Sequence, residues 1–246
     1  MSFDGQRVVI IGASAGIGEA AARTFAALNA AVTITGRSKE RLDQAAQRIG
    51  YPVEVAELDA TDSGALASFF ATAGTVDHLV LAASPGAVGV GPIAALDEAA
   101  LRQAFDGKFF AHVKAIQAAL PHLRQDGSVT IITAASARAA FAGTAGIAAA
   151  NGALEAMVAP LAVELAPLRV NAVSPGVIDT HWWDALPDDQ RQAYFSAVAA
   201  TTPVRRVGKP EDVAEAIVYL AGAGFVTGTV LECTGGSNLT AGALAG

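Results

Sequence analysis

The sequence predicts a doubly wound α/β fold, with one parallel sheet of about seven strands covered by helices on both faces. Short β-branched runs alternate with alanine-rich helical segments along the chain. The runs are apolar throughout rather than at every second residue, the pattern of strands buried on both faces. A glycine-rich stretch joins the first run to the first helix, and no linker or change of composition divides the 246 residues. One domain spanning residues 1–246 is therefore expected.

The elements follow in order. Arg7-Val-Val-Ile-Ile reads as a strand, and Gly16 to Leu28 as a helix with Ile17, Ala20, Ala21, Phe25 and Leu28 near helical spacing. Ala31 to Thr35 is a strand and Lys39 to Ile49 a helix; Val53 to Leu58 and Ser63 to Ala73 repeat the unit. His78 to Ala83 gives a fourth strand, and Asp97 to Leu120 one long helix stopped by Pro121. Ser128 to Thr133, Gly146 to Leu165 and Arg169 to Val173 read as strand, helix and strand. Pro210 opens a helix at its first turn, and Thr229 to Leu231 closes the sheet. Residues 176–208 are too long for an ordinary connection and hold both tryptophans, so an irregular lid or binding loop is expected there.

Hydrophobic residues make up 52% and charged residues 16%, enough for a large core. A net charge of -7, with no basic stripe, argues against nucleic-acid binding. Cys233 is the only cysteine, which excludes an internal disulfide and suits a reducing compartment. No signal core or apolar run of the roughly 20 residues that a membrane span requires is read in the chain, so a cytoplasmic protein is expected.

The stretch I-I-G-A-S-A-G-I-G-E-A places Gly12, Ser14, Ala15, Gly16, Ile17 and Gly18 between the first strand and its helix. Glycines there allow a tight turn and let the backbone approach a pyrophosphate, while free N–H groups at the helix start attract its charge. The plainer alternative is that they serve only helix–strand packing. At the end of the second strand an acid would bind a ribose 2′-hydroxyl, and a cation would accept a 2′-phosphate. This chain has Arg37, Ser38 and Lys39 there, which favours NADP(H) over NAD(H); Lys39 also reads as a solvated surface charge.

Together these features resemble the classical short-chain dehydrogenase/reductase (SDR) family over nearly the whole chain. E-L-D-A-T-D puts Asp59 and Ala60 where that family contacts adenine, and Ala82, Ala83 and Ser84 follow the fourth strand in place of its N-N-A-G. R-V-N-A-V-S-P-G-V-I-D-T matches its signature after the sixth strand, so Pro175, Gly176, Ile178 and Thr180 are implied at the nicotinamide end. G-K-P-E-D-V-A-E-A-I-V-Y-L and V-T-G-T-V-L-E-C-T-G-G match its last helix and strand. The resemblance implies a Rossmann-type fold, a small-molecule substrate and a homo-oligomer, a dimer or tetramer.

The family's chemistry uses a Tyr acid/base, a Lys four residues later, an upstream Ser and an Asn on the preceding long helix. Aligning G-I-A-A-A-N-G-A-L puts Ile147 at the Tyr and Asn151 at the Lys; Ala134 falls at the Ser and Lys108 at the Asn. An alkoxide left by hydride delivery must be protonated, and neither Ile nor Ala donates a proton.

Two classes of function follow. One is an atypical oxidoreductase with a relocated proton donor or an unusual acceptor: a carbonyl, activated double bond, imine or quinone. Lys108 is its best candidate, against the plain alternative of a solvated helix charge. His112, four residues on, would share that helix face, although packing suits it better. Thr133 and Ser136 could bind substrate or simply cap backbone groups. Asn151 could bond a ribose hydroxyl. His181, Trp182 and Trp183 could line the substrate side or pack the lid, and Tyr194 is a more distant donor. No metal site is expected. The other class is an inactive NADP(H)-binding regulator, sensor or oligomer partner.

Overall fold

The computed structural model describes residues 2–240. Seven strands form one sheet: β1 Arg7–Ile11, β2 Ala31–Gly36, β3 Glu54–Glu57, β4 Val76–Leu81, β5 Leu123–Ile132, β6 Arg169–Pro175 and β7 Val230–Cys233. Their order is β3-β2-β1-β4-β5-β6-β7 and every pairing is parallel. Helices fill the crossovers: α1 Gly16–Ala27, α2 Lys39–Ile49, α3 Ser63–Ala73, α4 Glu98–Ala104, α5 Ala111–Ala119, α6 Ala145–Glu164, α7 Asp188–Thr201, α8 Pro210–Gly222 and the short α9 Ser237–Thr240.

The strands' two-residue period divides the core. Val8 and Ile10 pack with Phe25 of α1, Leu42 of α2 and Ile217 of α8. Val9 and Ile11 face the other way, onto Phe70 of α3, Ile116 of α5 and Leu154 of α6. Both sets are fully or almost fully buried, as continuous apolar strands require. Local chemistry fixes the helix ends. Ser38 accepts from Arg41 N–H to start α2, Asp62 accepts from Gly64 and Ala65 to start α3, and Asp97 accepts from Ala100 to start α4. Gly50 ends α2 at φ 72°, where glycine carries no Cβ penalty.

Three expectations change. The single helix expected over 97–120 is α4, a π-helical turn at Phe105–Phe110, then α5. Gly107 lies in that turn against Pro85, and a Cβ at 107 would come within 2.8 Å of the proline ring. Residues 176–208 are not irregular: they hold a 3-10 turn at His181–Trp183 and the 14-residue α7. Their ends are stitched together, with Asp179 N–H donating to Gly208 O and Gly208 N–H to Val177 O, both at 2.9 Å. Third, α6 is, by length and composition alone, long and apolar enough to cross a membrane. In this fold its Ala150, Leu154 and Val158 are buried in the core, and its Glu155 is held in a polar network. The boundaries of β4, β5 and β7 also move, β5 beginning at Leu123 rather than Ser128.

Candidate active site

The strand order reverses between β1 and β4, and a cleft of about 1240 Å³ opens beyond the carboxyl ends of the strands there. The residues singled out for cofactor, substrate and catalysis line this cleft, except Lys39; the helix residue His112 does not line it either.

At one end the backbone sets the shape. Gly12 sits at φ 90°, and its N–H bonds to Thr35 O at 3.0 Å. A Cβ on Gly12 would lie 2.6 Å from the backbone of Ala83 at the end of β4, and one on Gly18 would run into Gly12 O. These two glycines are thus dictated by packing, and Gly16, at φ 59°, by conformation. Ala15 precedes helix α1 and its side chain cannot cap it, so the first-turn residues Gly16, Ile17 and Gly18 line the cleft with no side-chain cap on their N–H groups. Glu19, the acid of that turn, is 7% exposed and held away by Arg48 at 2.8 Å and Arg23 at 3.4 Å. Arg48 also donates to Ser14 O at 3.3 Å, bracing the loop. Uncapped N–H groups with no competing carboxylate and no intruding Cβ fit a dinucleotide's pyrophosphate.

Arg37 projects from the end of β2 with no hydrogen bond or ion pair on its guanidinium. Arg41, one turn into α2, shares the cleft and is equally unpaired; it was missed in the sequence, although its i, i+4 spacing from Arg37 was visible there. Ser38 caps α2, and Lys39 is turned to Asp43 at 2.9 Å, which takes it out of the cofactor set. The Asp59 carboxylate accepts from Thr61 N–H and Oγ, both at 2.8 Å. The Thr61 backbone bond, chiefly, holds it below the usual carboxylate range, with help from Arg37 and Lys114. Ala60, Ala82, Ala83 and Ser84 complete the floor, and Pro175, Gly176, Ile178 and Thr180 the facing wall.

The other end is largely hydrocarbon. Ala134, Ile147, Phe141 and Leu186 line it with Trp182 and Trp183. The tryptophans meet edge to face at 4.4 Å, and Trp183 donates from Nε1 to Ile178 O at 2.9 Å and packs on Tyr194 at 4.9 Å. Trp183 therefore anchors the 176–208 segment as well as facing the cleft. Burial pushes the Tyr194 phenol upward.

Four polar groups remain to be placed. Thr133 donates to Glu155 Oε1 at 2.9 Å, with Val173 O at 3.2 Å, so its hydroxyl is committed to the wall rather than to a substrate. Glu155 also holds Arg138, which bridges to Glu232 of β7; this network was not visible in the sequence. Asn151, 7% exposed, donates to Ile147 O at 2.9 Å and to Ser136 Oγ at 3.4 Å, leaving its Oδ1 buried without a partner. Lys108 is 9% exposed and has no side-chain hydrogen bond or ion pair among the described residues, and burial lowers its pKa to about 8. It is therefore not a solvated helix charge. His112 is fully buried and donates from Nε2 to Ala83 O at 3.0 Å. Burial first, then the Lys108 charge, holds it well below the ordinary imidazole pKa, so it is a neutral packing residue off the cleft. Among the described residues no group of His, Cys, Asp and Glu could hold a metal ion.

Parallel sheet, glycine loop and switch-point cleft define a Rossmann-type protein. A family model described as enoyl-(acyl carrier protein) reductase matches residues 12–238. A short-chain dehydrogenase/reductase of Stachybotrys chlorohalonatus is 32% identical over 96% of this chain and 98% of its own. The (2S)-[(R)-hydroxy(phenyl)methyl]succinyl-CoA dehydrogenase subunit BbsD of Thauera aromatica is 30% identical over 98% of this chain and 100% of its own. The crystal structure of a small-chain dehydrogenase in complex with NADPH superposes with a TM-score of 0.83 at 30% identity, covering 96% of this chain and 100% of that one. The chain belongs to the short-chain dehydrogenase/reductase family, oxidoreductases that use nicotinamide dinucleotides and act on small molecules.

Proposed function

We propose that the chain is an NADP(H)-dependent oxidoreductase whose reaction end works without the family's Tyr-x-x-x-Lys pair, Ile147 and Asn151 standing in its place. The observation that carries this reading is Lys108, a buried and unpaired cation on a cleft whose nearest expected donors, Ala134 and Ile147, are hydrocarbon. Arg37 and Arg41, with Ser38 between them, are the groups for a 2′-phosphate and favour NADP(H) over NAD(H). The start of α1 would hold the pyrophosphate, Asp59 and Ala60 the adenine side, and Asn151 a ribose hydroxyl. Bound NADPH would supply a hydride to an electron-poor carbon.

The residues of the chain do the rest. The Lys108 ammonium donates to the acceptor's oxygen or nitrogen, and a pKa of about 8 lets it release its proton near neutral pH. Ser136 orients polar substituents of the substrate. Trp182 and Trp183 exclude water and take an apolar or aromatic body, a carbonyl, activated double bond, imine or quinone compound. We read residues 176–208 as a lid on a single domain. The same reading makes the protein cytoplasmic, with a free Cys233, and a homo-oligomer, to which the exposed Tyr219 and Phe225 beside β7 would contribute.

Titration with NADPH and NADH, followed by an enone and carbonyl screen read by NADPH absorbance, tests this. Tight NADPH binding with turnover that falls at least tenfold in Lys108→Met is expected; no binding of either cofactor sinks the reading. Binding without turnover on any substrate favours a second one, an inactive NADP(H)-binding partner or regulator. It draws support from the hydrocarbon positions 134 and 147 and from a relative that is itself named as a subunit.

A further inference from the structure

We propose that Lys108 is an imine-forming residue, its amine capturing the carbonyl carbon of an aldehyde or ketone held in the cleft. The proposal deepens the reading above and rests on its placement of the substrate.

A lysine becomes a nucleophile where its neutral form is favoured and the amine can reach a carbonyl. A buried lysine is normally pinned by a carboxylate or by carbonyl oxygens, because an unpaired buried charge is costly. Lys108 is 9% exposed and has neither. Among the described residues the single carboxylate lining the cleft, that of Asp59, lies beyond β3 and is engaged by Thr61. His112, one turn along the same helix, is held neutral by burial and by the Lys108 charge and is bonded to Ala83 O, so it offers no negative charge. Loss of water from a pocket with no counter-charge therefore favours the amine. At pH 7 a pKa of about 8 leaves about a tenth of the side chain as free base, against less than a thousandth for an ordinary lysine.

The step balances without a redox partner. The Lys108 Nζ lone pair forms a bond to the carbonyl carbon, and the carbonyl π pair moves to oxygen, which takes the proton released by nitrogen. Loss of water breaks the C–O bond and leaves a C=N bond; added water reverses it. Ser136 lines the same cleft, so a hydroxyl able to hydrogen-bond the departing oxygen is present. A protonated imine is electron-poor at carbon with no acid needed at oxygen, the function that Ala134 and Ile147 cannot perform.

The test is borohydride trapping with cinnamaldehyde at pH 8, with no cofactor added, followed by intact mass and peptide mapping. The wild-type chain should carry one reduced adduct, on Lys108, at least tenfold above that on Lys39, Lys114 and Lys209. Lys39 is paired with Asp43 and Lys114 bonds Thr61 O, so the other lysines serve as internal controls. Lys108→Arg keeps the cation and should lose that adduct while labelling of the others is unchanged. Equal labelling of all four lysines, or none on Lys108, overturns the proposal from the wild-type map alone, whether or not the variant folds. Failure of the oxidoreductase reading is a separate result: a chain that traps aldehyde on Lys108 and binds no NADPH keeps the imine and loses the dehydrogenase. Turnover of an NADPH-dependent substrate by a wild-type chain that forms no Lys108 adduct does the reverse.

Discussion

The two ends of the cleft are held by different kinds of matter. At the phosphate end the determinants are backbone: Gly12 against Ala83, Gly18 against Gly12 O, and the bare start of α1. Nearby acids are already spoken for, Glu19 by Arg48 and Asp59 by Thr61. At the reaction end the determinants are side chains, and two of them, Lys108 Nζ and Asn151 Oδ1, have no partner. A backbone-built site cannot drift without breaking the fold, whereas a side-chain site can be rewritten at single positions while the sheet beneath it stays whole.

That contrast can be broken most sharply at Gly12. Gly12→Val should abolish NADPH binding and cost several kcal/mol of stability, since a Cβ 2.6 Å from Ala83 cannot be accommodated by moving a side chain. A variant with unchanged denaturant midpoint and NADPH affinity would show that the loop is not backbone-determined. The next largest effect is expected of Arg37→Ala with Arg41→Ala. Calorimetry should show about a hundredfold loss for NADPH, about 3 kcal/mol, with NADH affected much less. Equal losses for both cofactors would remove the 2′-phosphate assignment.

Lys108→Met addresses the opposite end and should make the protein more stable. Lysine ordinarily keeps its proton to 10.5, and Lys108 only to about 8, so the unfolded chain binds more protons between those values. Stability of the wild type therefore rises with pH across that window. The methionine gain, about 3 kcal/mol, should be full below pH 8 and gone above 10.5. Urea midpoints of both chains from pH 7 to pH 10.5 measure it, and a pH-independent difference would mean that Lys108 holds its proton equally well in the folded and the unfolded chain. The smallest effect is expected of Glu155→Gln. Arg138 is 46% exposed, so the pair is partly screened, and a loss of about 1 kcal/mol is anticipated. Arg138 ends the 3-10 turn Ala135–Ala137, and looser placement of Ser136 in that turn should raise KM more than it lowers kcat.

The same contrast decided what the sequence revealed. The strands and the glycine loop were legible because β-branched runs and glycines report backbone requirements directly. The break in the long helix was not, since Gly107 acquires its meaning only against Pro85, 22 positions earlier. Helix α7 was missed because none of its residues is buried, so packing left no apolar stripe to read. Thr133 looked available for substrate because its partner Glu155 belongs to another element. Lys108 stayed ambiguous for a physical reason: a charge alone does not tell whether water or a cleft surrounds it, and burial supplied the answer.

The π-helical turn at Phe105–Phe110 has a consequence for how such a site changes over time. Each added residue rotates the rest of a helix by about 100°, so the turn, rather than any bond made by the side chain, aims position 108. With no partner gripping it, position 108 behaves as a socket. Whatever residue one codon supplies there is delivered to the same point beside the substrate, and new chemistry can be tried without rebuilding the fold that presents it.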